Sequence, residues 1–326
     1  LPARRGGGYL ASLMNHSHAV RVSRRAALKT ILCGAAAAGL GTLDLSAAGV
    51  RWPIGCFNRP WMQKNAPAEP PTTPQPANWG MEAALKGMKE AGFKMIGLLT
   101  RTVDEPFIGA KATDEYLAAL KQKIAASGLT ATMGAVHAKT DGTVEEGLAD
   151  ARRQIDHAQF LGLEWLLTFG VDEASQYDTY CKIMAGAADY AQERAMKLVI
   201  KPHGGSSRAS TEILDCLKKV GRPNFKIWYD AGNIIYYAGK DPVEELKPIV
   251  DKVTGFCAKD CGSLHGDVMI QLGRGKVDFA AVFGVLRDAG FAGPIFLECA
   301  AGKRFQQVTR AAADNRLFLE KTLAAL

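Results

Sequence analysis

KLVIKPHGGSSRASTEILDCLKKVGRPNFKIWYD (residues 197–230) holds one complete structural unit. An apolar run over 197–203 gives way to glycines and serines, then to an amphipathic segment over 209–220, Gly221, and a second apolar run over 225–230. That order predicts strand, loop, helix and strand, the repeating unit of a parallel sheet. Outward from it the same rhythm recurs, with strand-like runs at 51–57, 93–99, 130–137, 164–170, 197–203, 225–230, 253–259 and 293–299. Helical segments fall near 81–91, 113–127, 144–161, 175–195, 209–220, 242–250, 278–289 and 304–325. Gly92, Gly128, Gly162, Gly221 and Gly290 each stand where a helical run stops, as a residue free to take positive φ does. An open doubly wound sheet commonly has fewer strands, so eight units predict an α/β chain closed into a (β/α)8 TIM barrel.

The barrel is expected to occupy residues 47–326, because residues 1–46 read as an export signal. Ser23-Arg24-Arg25-Ala26-Ala27-Leu28-Lys29 resembles a twin-arginine motif, and an Ala/Gly-rich apolar run from Thr30 to Leu43 precedes Ser46, Ala47 and Ala48. Such a run is too short and too poor in bulky side chains for a stable membrane anchor, and Leu32 before Cys33 argues against lipidation. Met14 is a more natural start than Leu1, which makes residues 1–13 an upstream extension. The expected location is therefore the periplasm or another exported compartment. Removing 1–46 takes away six basic residues and one acidic residue, so the formal charge falls from +7 to +2. No basic stripe remains for nucleic acid.

Of the seven cysteines, Cys56, Cys181, Cys257, Cys261 and Cys299 lie in or beside predicted elements without paired spacing. Buried free thiols fit a chain folded before export, and a few disulfides remain the other reading. Asn58 to Trp79 carries six prolines and little apolar periodicity, which predicts an extended loop over the barrel mouth. It is either a lid bearing Phe57, Trp61 and Met62 or a surface wrap.

Barrel enzymes carry their reactive groups at the C-terminal ends of the strands. Those ends hold His137, then Lys201 and His203, then Asp230 and Asn233, then Cys257, Lys259 and Asp260, and finally Glu298. Lys201 and His203 share one face of their strand, since side chains alternate with period two. Buried charges are costly unless paired, so this concentration exceeds what a purely structural rim requires. Asp260 is expected to cap a turn or pair with Lys259, and His157, on a predicted helix, to serve the surface or the packing.

The C-terminal half resembles the xylose-isomerase-like sugar phosphate isomerases and epimerases. The matching pieces are Trp228-Tyr229-Asp230-Ala231-Gly232-Asn233, Ala258-Lys259-Asp260, Gly273-Arg274-Gly275-Lys276-Val277-Asp278-Phe279, and Gly290-Phe291-Ala292-Gly293-Pro294-Ile295-Phe296-Leu297-Glu298. The resemblance implies one divalent metal (Zn, Mn, Mg or Co) held by Glu, Asp, His and Glu on strands five to eight. Asp230 and Glu298 keep their places, but Lys201 stands where the first Glu is expected and Cys257 where the His is expected. Either Lys201 replaces the metal's charge, or the metal site has shifted to His203, Asp230, Cys257 and Glu298.

For catalysis, Glu298 is the expected base, Lys201 or Lys259 the group that polarises a carbonyl, and His203 a second acid or base. His137, Asn233, Tyr236, Arg274 and Trp61 are expected to contact substrate, with Tyr237 beside Tyr236 suited to stacking on a sugar face. The predicted activity is a carbohydrate isomerase or epimerase that abstracts a proton next to a sugar carbonyl. Alternatives are a keto-sugar lyase or hydratase and a non-catalytic sugar-binding barrel. The endonuclease branch of the same superfamily needs more metal-binding histidines than the four beyond residue 46. A small carbohydrate is the expected partner, and self-association is left open.

Overall fold

The computed structural model describes residues 50–62 and 79–326. The export-signal reading, and the loop reading over 63–78, lie outside the described residues. Eight parallel strands close into a barrel in sequence order: β1 Ile54–Phe57, β2 Met95–Leu98, β3 Thr130–Ala135, β4 Trp165–Thr168, β5 Lys197–Ile200, β6 Lys226–Asp230, β7 Val253–Ala258 and β8 Ile295–Leu297. The seam is made by β8 on β1, with Ile54 opposite Ile295 and Cys56 opposite Leu297. Helices α1 Gly80–Glu90, α2 Asp114–Ser127, α3 Val144–Leu161, α4 Tyr177–Glu193, α5 Ser210–Val220, α6 Pro242–Leu246, α7 Phe279–Asp288 and α8 Phe305–Ala324 follow the strands in turn.

Local chemistry accounts for these boundaries. Thr143 opens α3 with a reciprocal cap shared with Glu146, satisfying N–H groups that have no partner inside the helix. Gly128 and Gly162 end α2 and α3 at φ of 74° and 78°, where a side chain would be strained. The predicted helix over 242–250 divides: α6 stops at Leu246 and a tighter 3₁₀ run, Lys247–Lys252, continues it. Pro248 has no N–H to extend the α pattern. The strands are shorter than the seven- or eight-residue runs predicted for most of them, so Lys201, His203, Lys259, Glu298 and His137 lie just past the last paired residues.

Alternation sends every second side chain into the barrel. The interior is filled by Phe57, Leu99, Met133, Ala135, Trp165, Leu167, Val199, Trp228, Cys257 and Phe296. Three inward glycines make room for the largest of these. A Cβ on Gly255 would lie 2.0 Å from the Trp228 ring, one on Gly97 would lie 2.4 Å from Phe57, and one on Gly55 2.7 Å from Phe296. The second, larger apolar layer lies between the outer face of the strands and the helices.

The lid that was one of the two readings after β1 is not built from Phe57, Trp61 and Met62. Phe57 points into the barrel against Phe296, with ring centroids 5.0 Å apart. Trp61 and Met62 are fully buried. The Trp61 indole fills the space over Gly87 of α1 and donates to Thr309 Oγ1 of α8 at 3.1 Å. An apolar side chain on a loop can serve the core as readily as a pocket, and these residues do.

Gly255→Ala is expected to destabilise the barrel by about 1–3 kcal/mol, because the added methyl must displace a fully packed indole. Gly284→Ala, in α7 with no neighbour within 4 Å of the new Cβ, is expected to be neutral or to stabilise by up to about 1 kcal/mol. Urea unfolding of both variants beside the wild type measures the contrast.

Candidate active site

Because alternation continues past the strand ends, each inward column changes from apolar to charged at the mouth. On β5 the column runs Val199, Lys201, His203; on β6 Trp228, Asp230; on β7 Gly255, Cys257, Lys259; on β8 Phe296, Glu298. The register brings the columns together, with Asp230 paired to Cys257 and Cys257 to Phe296. The result is a buried cluster over an aromatic floor.

Lys201, Asp230, Lys259 and Glu298 are each no more than 2% exposed. Lys201 Nζ lies 2.9 Å from Asp230 Oδ2 and bonds to Glu298 Oε2. Lys259 Nζ lies 3.1 Å from the same Asp230 oxygen and 3.0 Å from Glu298 Oε1. Asp230 Oδ2 meets the two ammonium groups as an ion pair, off the line of an aligned hydrogen bond. Its Oδ1 accepts from the backbone N–H of Asn233 at 2.9 Å. Cys257 Sγ lies 2.9 Å from Glu298 Oε2 and 3.9 Å from Lys201 Nζ. Arg59 completes the group by bonding to Glu298 Oε1 through one guanidinium nitrogen.

An ammonium has three N–H donors. Lys201 faces three partners, donating to Glu298 and Cys257 and forming an ion pair with Asp230, whereas Lys259 faces two among the described residues, donating to Glu298 and forming an ion pair with Asp230. Burial alone would raise the Glu298 carboxyl, but Lys201, Lys259 and Arg59 outweigh it and hold it well below the usual carboxylate range. Burial pulls the two lysines down, yet the facing carboxylates keep both above the ordinary lysine value. Burial and the two carboxylates push the Cys257 thiol up. Among the described residues, three cations thus face two carboxylates, leaving one positive charge uncompensated.

Above the cluster is a cavity of about 250 Å³, lined by Arg59, Leu99, Thr100, Phe169, Lys201, His203, Asn233, Tyr236, Tyr237, Lys259, Val268 and Glu298. That is smaller than a drug-sized pocket and suits a small carbohydrate. His203 Nε2 lies 3.0 Å from the Tyr237 hydroxyl. Burial, then the charges of Lys201 and Lys259, lower His203 from its ordinary 6.5 to about 4, so the imidazole is neutral at neutral pH. Asn233 fixes the corner between β5 and β6 by donating to the Pro202 carbonyl at 2.6 Å. The mouth therefore gathers neutral acid–base groups and fixed cations, a catalytic arrangement.

Most of the residues expected from sequence meet here: Lys201, His203, Asp230, Asn233, Tyr236, Cys257, Lys259 and Glu298. Trp61 does not, for the reason given above. Arg274 is exposed and outside the cavity lining. His137 packs on Phe169, ring centroids 5.6 Å apart, and Phe169 rather than His137 reaches the cavity. Asp260 does not pair with Lys259. It accepts from the backbone N–H groups of Cys261, Gly273, Gly275 and Val277 at 2.8–3.2 Å, which folds the segment after β7 back onto the barrel. Arg59 was not anticipated. Its only signal is its place two residues after β1, in the short 3₁₀ turn Arg59–Trp61.

Asp230, Cys257 and Glu298 form a buried triad whose ligand atoms all lie within 4.8 Å of one another, capable of coordinating a divalent metal ion. His203, included in the shifted metal site read from the sequence, is not part of that triad. Lys201 Nζ already contacts all three of its members, so the residues as arranged fit a metal only with Lys201 displaced. The six described cysteines are free and buried. No described helix is long and apolar enough to cross a membrane.

The chain belongs to the xylose isomerase-like TIM barrel family, whose model matches residues 85–322. Inosose dehydratase from Geobacillus kaustophilus is 32% identical over 106 residues, a match covering 32% of this chain and 33% of that protein. The chain thus spans about one third of the length of this curated relative. Among solved structures, a xylose isomerase domain protein from Planctomyces limnophilus superposes with a TM-score of 0.64 at 18% identity, covering 84% of this chain and 99% of the other. A xylose isomerase-like TIM barrel protein from Mycobacterium smegmatis, in complex with magnesium, gives 0.66 at 18% identity over 84% and 97%. At such identities these likenesses concern the fold.

Lys201→Met should cost about 3 kcal/mol in chemical unfolding, since it leaves two buried carboxylates short of a partner. For His203 the sign follows from the lowered value: the unfolded chain takes a proton near pH 6.5, the folded one only near pH 4. Stability from this residue is full above pH 6.5 and falls as pH drops toward 4, by roughly 3 kcal/mol at 1.36 kcal/mol per unit. Unfolding curves at pH 7.5 and pH 4 should show the wild type losing that much more than His203→Gln.

Proposed function

We propose that this barrel is a dehydratase of the lyase class acting on a keto-polyol of monosaccharide size. The observation that carries it is the uncompensated positive charge of Arg59, Lys201 and Lys259 beside the neutral His203–Tyr237 pair, in one cavity. An enolate carries one negative charge, which that excess complements.

The step proposed is a β-elimination. His203 accepts the proton from the carbon next to the carbonyl, and the C–H electron pair moves onto the carbonyl oxygen as an enolate. The ammonium of Lys259 and the guanidinium of Arg59, both lining the cavity, hold that oxygen. Collapse of the enolate forms the new carbon–carbon double bond and breaks the bond to the hydroxyl on the next carbon, which takes a proton and leaves as water. Tyr237 Oη, bonded to His203, is placed to relay that proton. Glu298, the base expected from sequence, holds the cations instead, because Arg59 and Lys259 occupy one of its oxygens and Lys201 and Cys257 the other.

Support for elimination over epimerisation comes from the curated relative over the aligned third of the chain, which is an inosose dehydratase. Epimerisation needs the same first half and differs only in returning the proton to the opposite face. With residues 1–46 read as an export signal, the proposed substrate is a free or oxidised sugar rather than a phosphorylated one.

A panel of cyclic and linear keto-polyols incubated in deuterated water tests the proposal. Loss of water with formation of an unsaturated or dicarbonyl product is expected. Deuterium exchange with retention of every hydroxyl would assign an epimerase, and absence of both across the panel a sugar-binding barrel. His203→Asn is expected to lower kcat by about 10²–10⁴ with little change in KM.

A further inference from the structure

Among the described residues, one place gathers three side chains of metal-ligating type, and it is already filled by a cation. Asp230, Cys257 and Glu298 aim their ligand atoms at a common centre. The ammonium of Lys201 reaches that centre from β5: it bonds to Glu298 Oε2 and lies 2.9 Å from Asp230 Oδ2 and 3.9 Å from Cys257 Sγ. A divalent ion would need those same atoms at roughly 2.0–2.3 Å. Both cations cannot be held at once.

We infer that Lys201 is the resident cation of this centre, a covalently tethered occupant that excludes divalent metal from the Asp230–Cys257–Glu298 triad. Its side chain is 1% exposed. Its backbone N–H is pinned to the Thr168 carbonyl at 2.9 Å, and Pro202 follows it. Phe169 stands beside the ammonium, its ring centroid 5.8 Å away. Withdrawal would require the buried chain to find another path out of a packed wall. Lys259 covers the other side of both carboxylates and Arg59 bonds to Glu298, so an arriving metal ion would also meet two further positive charges. The inference concerns the cation alone and holds whichever reaction the cavity performs.

Cobalt titration tests it, because a cobalt–thiolate bond gives a near-ultraviolet charge-transfer band that reports Cys257 directly. The full chain is stripped with chelator, desalted and titrated with CoCl2, followed by absorbance and by calorimetry. The wild type should show no saturable site with that band. Lys201→Ala should take up about one equivalent at least tenfold more tightly, with the band, and Lys201→Ala combined with Cys257→Ser should lose the band. A wild-type protein that binds one equivalent with a Cys257-dependent band overturns the inference, as does a folded Lys201→Ala variant that gains no affinity. If Lys201→Ala does not fold, the wild-type titration beside Cys257→Ser still decides.

Discussion

Two buried ammonium groups wedged between two buried carboxylates hold the upper end of this barrel together. Each carboxylate meets both lysines, so no charge in the set depends on a single partner. That redundancy matters because the desolvation of an ion in a protein interior is repaid only when its geometry is well satisfied. The four residues come from β5, β6, β7 and β8 or from the first positions beyond them. Their mutual attraction therefore fixes the relative height of half the strand ends. A loop attached to any of those strands inherits that position, which is how a rim built from loops acquires a definite cavity.

The cluster can be dry only because of what lies beneath it. Trp165, Trp228 and Phe296 pack edge to face across the barrel axis, and the glycines opposite them leave space for rings of that size. The floor has its own cost: the Trp228 Nε1 hydrogen finds no acceptor among the described residues. An unpaired buried N–H is unfavourable by about 1–3 kcal/mol. The ring's bulk, sealing the interior below Asp230 and Glu298, offsets that loss.

Much of this was legible in the chain before any coordinates. The two periodicities, near 3.6 for helices and two for strands, carry the order of all sixteen elements, and alternation alone puts Lys201 and His203 on one face. What alternation cannot say is which of the two meets the carboxylates, because that depends on the stagger of β5 against β6 and β8. The answer, Lys201 in the cluster and His203 above it, exists only once the barrel closes. Arg59 was missed and Trp61 misplaced for a related reason. In a proline-rich segment with no period, sequence offers no direction for a side chain: the arginine turned inward to Glu298 and the tryptophan outward to α1 and α8. Asp260 reads in the sequence as a turn cap or a partner of Lys259, and the structure makes it the cap; which backbone N–H groups it would gather carries no signature in the sequence.

In the elimination proposed above, the electrostatics of the mouth would link the two halves of a proton transfer. Lys201 and Lys259, which would favour negative charge on a substrate oxygen, are also among the groups that keep a proton off His203. Before reaction, the imidazole is therefore bare and able to accept. As a neighbouring C–H bond broke in that reaction, negative charge would accumulate on the carbonyl oxygen close to those ammonium groups and partly cancel their field at His203. The proton affinity of the imidazole would then rise at the moment the proton arrives. A divalent metal could supply the charge, but a lysine tethered to β5 supplies it at a fixed place. In that reading the base and the oxyanion site are tuned by a single arrangement of charges, and a change to either lysine would alter both at once.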